Sequence, residues 1–81
     1  MNPQRDYDLD RKPACVLASG PEEGADGEAE YCVCFGDDEG DPICSDKRAI
    51  WYLWDIDEVN RFVNSLCAKH GLENVNEAMA P

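Results

Sequence analysis

The sequence predicts an α+β fold: a small antiparallel β-meander of three or four strands with one C-terminal helix packed on it. Three observations carry that reading. Residues 28–35, EAEYCVCF, alternate apolar and polar side chains. Residues 48–55, RAIWYLWD, are rich in aromatic and branched residues. From Ile56 onward the apolar residues recur at three- and four-residue steps.

In chain order, residues 1–12 read as a flexible or loosely docked arm between Pro3 and Pro13, and residues 13–81 as a single domain. ACVLAS, residues 14–19, is short, apolar and stopped by Ser19-Gly20-Pro21, which fits a first strand. GPEEGADGE reads as a loop. In the second strand Ala29, Tyr31, Val33 and Phe35 fall on one face, and Glu28, Glu30, Cys32 and Cys34 on the other. GDDEGDP, residues 36–42, reads as a second loop, with ICS as a short strand extension. In the third strand Ile50, Tyr52 and Trp54 oppose Ala49, Trp51 and Leu53. Both faces are apolar, so the strand is expected to be central or covered on both sides. With only one helix available, one sheet face is left short of a cover, and an exposed aromatic there would mark a partner site.

The helix has its own punctuation. Asp55 is placed as N-cap, with Glu58 three residues on in a capping-box arrangement. Ile56, Val59, Phe62, Val63, Leu66 and Cys67 form one stripe. Lys69 and His70 suit the negative end of the helix dipole, and Gly71 suits the left-handed residue that ends it. LENVNEAMAP reads as a short final helical turn or a frayed tail.

An 81-residue chain suits one domain. At 43% hydrophobic it is too apolar for a disordered acidic tail. Its net charge of −11 is unevenly placed. Residues 1–12 sum to zero, residues 13–46 hold ten acids and no base, and residues 47–81 sum to −1. Such a field repels nucleic acid and anionic membranes and draws in basic protein surfaces, so neither nucleic acid nor membrane is an expected direct partner. The N-terminal residues lack the apolar core of a secretory signal, and no apolar run approaches the ~18–20 residues of a membrane span. Five cysteines without a signal point to reduced thiols and a cytoplasmic location.

The sites of chemistry are few. Cys32-x-Cys34, Cys44 and Cys67-x-x-His70 supply enough ligands for a structural zinc, yet the usual C-x-x-C spacing is missing. The simpler reading is small buried hydrophobes, and neither metal nor cofactor is expected. Cys32 and Cys34 sit among carboxylates, which disfavour a reactive thiolate. His70 reads as a helix-ending histidine that suits the dipole rather than as the base of a nucleophile–base pair, and DDEGDPICSDK lacks the ligand order of a calcium loop. No enzyme activity is expected.

The acids Glu22, Glu23, Asp26, Glu28, Glu30, Asp37, Asp38, Glu39 and Asp41 remain as the candidate partner-binding residues. They form either a solvated loop surface or an imitation of nucleic-acid charge. Carboxylates two residues apart on a strand, as Glu28 and Glu30 are expected to be, lie about 6.7 Å apart, close to two steps of the ~3.4 Å phosphate ladder on one DNA strand.

In size, in PEEGADGEAE and GDDEGD, and in the compact unit AIWYLWDIDEVNRFVNSLCAKHG, the chain resembles small acidic phage-encoded anti-CRISPR proteins of the DNA-mimic class. It is a resemblance of type, with no motif that transfers residue by residue. It implies an inhibitor in the host-cell cytoplasm that occupies the DNA-binding groove of a basic nucleic-acid-binding protein, a CRISPR surveillance complex. The alternative is a small structural or adaptor domain, with or without a zinc staple, whose acidic loops only solubilise it.

Overall fold

Four strands form one mixed sheet in the computed structural model, which describes residues 2–81. A short helix α1 (Pro3–Asp6) precedes β1 (Cys15–Glu23) and β2 (Ala29–Gly36). A 3-10 turn (Lys47–Ala49) leads into β3 (Ile50–Leu53), then α2 (Ile56–His70) and β4 (Glu73–Asn76). The strand order is β3-β2-β1-β4. The first three strands form the expected antiparallel meander, and β4 lies parallel to β1 on its other side. β3 and β4 therefore run in the same direction at opposite edges, and α2 is the crossover such a connection requires.

The fold is α+β with one helix packed on the sheet, and α2 has the expected ends. Asp55 accepts the Glu58 N–H at 3.2 Å, and Gly71 takes φ 67°, a conformation open to glycine. Fifteen residues span about 22 Å, enough to cross the sheet. Val59, Val63 and Leu66 are buried against it, while Ile56, Phe62 and Cys67 pack at the margin.

Strand register decides which side chains α2 covers. Val16 faces Phe35 and Ala18 faces Val33 across β1 and β2, while Val33 faces Trp51 and Tyr31 faces Leu53 across β2 and β3. Val16, Tyr31, Val33 and Phe35 are at most 1% exposed. On β4 the positions level with Val16 and Ala18 are Asn74 and Asn76. Their side-chain amides donate to Asn64 Oδ1 at 3.0 Å and Asn60 Oδ1 at 2.7 Å on α2. Within the segment read as a helical turn or frayed tail, Glu73–Asn76 is thus a strand joined to the helix by paired amides, with Leu72 and Ala78 packed against the core on either side of it.

Two other elements differ from the sequence reading. β1 continues through Gly20-Pro21 to Glu23, where a loop was expected. The register shifts between Ser19 and Glu22, an irregularity where proline costs no ladder bond. Gly20 has φ 129°, and a Cβ there would lie 2.8 Å from Cδ1 of Tyr31 and 2.9 Å from the Glu30 carbonyl oxygen. β3 is shorter than expected, and it is an edge strand with Tyr52 exposed, neither central nor covered on both sides. Trp51 meets Tyr7, Phe35 and Phe62 edge-on, with centroids 5.0–5.9 Å away. Tyr52 and Trp54 are 54% and 60% exposed.

The N-terminal segment, read as an arm, lies against the body. Leu9 is part of the core, and the Tyr7 ring lies 5.5 Å from Phe35. Asp46 accepts the Asp8 N–H at 2.7 Å, and also the backbone N–H and guanidinium of Arg48. Arg48 above all holds the Asp46 carboxyl down to about 2, with the two backbone N–H groups adding to it.

Phe35→Ala should destabilise the protein by about 3–5 kcal/mol, since it empties a fully buried site. Phe62→Ala should cost clearly less because that ring is only half-buried, and urea unfolding of the two variants will show the order. Because the folded pKa of Asp46 lies below the unfolded value of ~3.9, its contribution is complete above pH 4 and is lost as pH falls toward 2. Asp46→Asn should be less stable than wild type at neutral pH and lose less stability across that acid window, as read from urea midpoints at each pH.

Candidate functional site

The nine acids separate into two groups. Glu22, Glu23, Asp26, Glu28 and Glu30 surround the β1–β2 turn. Asp37, Asp38, Glu39 and Asp41 follow the far end of β2. Glu30 and Asp37 are seven positions apart along extended chain, about 23 Å. One run in the sequence is two patches on the molecule.

In the turn, the Asp26 carboxylate accepts the Glu28 N–H at 3.1 Å, and the Gly24 N–H reaches the Glu28 carbonyl at 2.8 Å. Glu28 therefore belongs to the turn, and the strand ladder expected of Glu28 and Glu30 does not form. A different pair does: Glu22 stands directly opposite Glu30 across β1 and β2. Like charges in that relation destabilise a sheet. Glu22, Glu23, Asp26 and Glu28 are exposed, and Glu30 is half-buried.

In the far patch, Asp38, Glu39 and Asp41 are exposed, but Asp37 is buried. Its Oδ1 accepts the Glu39 and Asp41 N–H groups, each at 2.9 Å, and its Oδ2 accepts Arg11 Nη1 at 2.7 Å. The Asp41 N–H first, then those of Glu39 and the Arg11 guanidinium, hold the Asp37 carboxyl below the usual carboxylate range. Arg11 also donates to the Pro42 carbonyl at 2.7 Å. Asp37 organises its loop and faces inward with its charge compensated, so it leaves the set of candidate contact residues.

Three of the five thiols face one recess. Cys32 and Cys34 stand on the sheet face away from α2, and Cys44 lines the same recess; Cys67 packs beside the core on α2. Cys15 is buried and donates to the Asp37 carbonyl at 3.7 Å. Among the described residues no group of three or more His, Cys, Asp or Glu side chains is placed to hold a metal ion. Burial raises the pKa of Cys15, Cys32 and Cys67 and pushes Cys34 up to about 11, so these sulfurs are poor nucleophiles at neutral pH.

The sheet face away from the helix is the one that the sequence left short of a cover, and Tyr52 is the exposed aromatic on it. In register, Leu17 lies between Cys34 and Val75, Cys34 beside Ile50, and Cys32 beside Tyr52. Leu17, Cys32, Cys34, Ile50, Tyr52 and Val75 line a recess of about 410 Å³ there, walled on one side by Gly40, Pro42 and Cys44. The signal for it was the apolar residues at alternate positions left over once the core face was assigned. A larger cleft of about 980 Å³, between the N-terminal segment and the end of α2, carries both signs of charge, with Arg11 and Lys12 set against Asp38, Glu39 and Asp41.

No protein-family model, curated protein or solved structure matches this chain. Among the described residues no helix is long and apolar enough to cross a membrane.

Alkylation of the native protein at neutral pH should reach Cys44 first, because it is exposed, and Cys15 and Cys34 only on unfolding. Mass spectrometry of digests taken over time gives the order.

Proposed function

We propose that this protein is a non-enzymatic inhibitor whose exposed carboxylates occupy the basic groove of a nucleic-acid-binding partner in the cytoplasm, the partner class being a CRISPR surveillance complex. The observation that carries this is the Glu22–Glu30 pair at the acidic hairpin tip. Two like charges placed in register work against the hairpin, and Arg11 and Arg48 are engaged with Asp10, Asp37 and Asp46 elsewhere. A lysine or arginine supplied by a partner relieves that repulsion. The uneven distribution, −10 over residues 13–46, also speeds encounter with basic surfaces.

The mechanism is occlusion. Lysines and arginines that would hold phosphates hold carboxylates instead, so nucleic acid and inhibitor exclude each other. The anti-CRISPR resemblance supplies the partner class, and the acidic surface supplies the reason for contact.

The test is competition between this protein and DNA for purified CRISPR surveillance complexes at two salt concentrations. The wild type should displace DNA, and less so at high salt. Neutralising Glu22, Glu23, Asp26, Glu28 and Glu30 together to glutamine or asparagine should weaken inhibition at least about tenfold, from several small electrostatic losses. Folding should be preserved or improved, because the Glu22–Glu30 repulsion is gone. Inhibition undiminished in that variant would sink the charge-mimicry reading.

A further inference from the structure

The face of the sheet opposite α2 is built unlike a solvated face. Antiparallel sheets with one side on a helix commonly present polar residues on the other. Here Leu17, Cys32, Cys34, Ile50, Tyr52 and Val75 occupy the centre, with Ser19 among them and Glu77 at the margin. Tyr52 is 54% exposed at the edge strand. The loop wall is fixed by a bridge between Gly36 and Pro42 and by the Ile43 N–H to Phe35 carbonyl bond at 2.9 Å.

The rim of this face is acidic. Alternation puts Glu30 on the same side of β2 as Cys32 and Cys34, and the Glu22–Glu30 register brings Glu22 there too. On β4, Glu73 and Glu77 share the side of Val75, and Glu77 lines the recess. No lysine or arginine lines it among the described residues. An apolar centre with a charged rim is the anatomy of a protein contact surface, where aromatic residues supply most of the binding energy.

We propose that this face is the docking surface for a basic segment of a partner protein, one carrying an apolar side chain flanked by lysine or arginine. This rests on the reading that the partner is basic, and it places the centre of the contact on Tyr52, Ile50, Leu17 and Val75 with the hairpin acids at the margin. Two other occupants are disfavoured. The chain's own C-terminal residues are held elsewhere: Ala78 packs against the core, the Met79 N–H donates to the Gly20 carbonyl at 3.1 Å, and Tyr31 Oη donates to the Met79 carbonyl at 3.0 Å. A second copy would bring two acidic rims, each on a molecule of net charge −11, into contact.

The test titrates three short synthetic peptides into the isotope-labelled full-length chain and follows backbone amide shifts. Two are lysine- and arginine-rich with equal charge, one with leucine and phenylalanine at its centre and the other with serine there. The third keeps the apolar centre and has no charge. The charged peptide with the apolar centre should shift the amides of Leu17, Cys32, Tyr52 and Val75 and bind at least about tenfold tighter than either of the others. Tyr52→Ser, an exposed site whose change leaves the core intact, should remove most of that advantage. If the two charged peptides bind alike and shift only the hairpin tip and residues 37–41, the docking face is wrong while charge mimicry stands. If the uncharged peptide binds as well as its charged counterpart, the basic occupant is wrong. Failure of all three peptides to bind, or dimerisation of the free protein through this face, also overturns the proposal, and the DNA competition then judges the inhibitor reading separately.

Discussion

The pairing of β1 with β2 sets every face in this molecule. Val16 opposite Phe35 and Ala18 opposite Val33 direct the large buried side chains toward α2. The same register sends Leu17, Cys34 and Cys32 to the other side and sets Glu22 against Glu30. A slip of one residue would exchange the two faces and put thiols and carboxylates under the helix. The cost of that exchange keeps the register fixed, because Tyr31, Val33 and Phe35 on β2 are each at most 1% exposed.

Within that frame the acidic residues do unequal work. Asp37 and Asp46 are buried and turned inward; each gathers backbone N–H groups and an arginine, and each ties the N-terminal segment to the body. Their charges belong to the architecture. The hairpin acids form no such inward network. Glu22 and Glu30 also lie close enough to Cys32 to raise its thiol pKa, although burial is the larger cause. The acidic and apolar parts of the surface are therefore neighbours, and a partner that meets one meets the other.

Much of this fold was legible in the sequence because the signals are local. α2 announces itself through Asp55, the stripe from Ile56 to Cys67, and Gly71; β2 does so through strict alternation. β4 was hidden because Asn74 and Asn76 meet α2 through amide pairs, which hydrophobic periodicity does not register. The length of β1 was hidden because Gly20-Pro21 looks like a stop, whereas the register irregularity accommodates it. The position of β3 at an edge depends on where the chain returns after the helix, and β3 itself carries no trace of that. The acidic site was legible as composition and misleading as a patch. Asp37 looks like its neighbours until Arg11, 26 residues away, is seen to bind it.

The chain order of the sheet has a consequence for how it is made. β4 pairs with β1, but the whole of β2, β3 and α2 is synthesised between them. On a growing chain the outer edge of β1 therefore stays unpaired until residues 73–76 have emerged, after the meander and the helix are available to fold. Contacts of such long sequence separation form late, and unpaired strand edges are where nascent chains associate wrongly. For that interval the strand that sets the register of the whole sheet has its backbone donors and acceptors open to other chains, and the polar, amide-clasped β4 is what closes them.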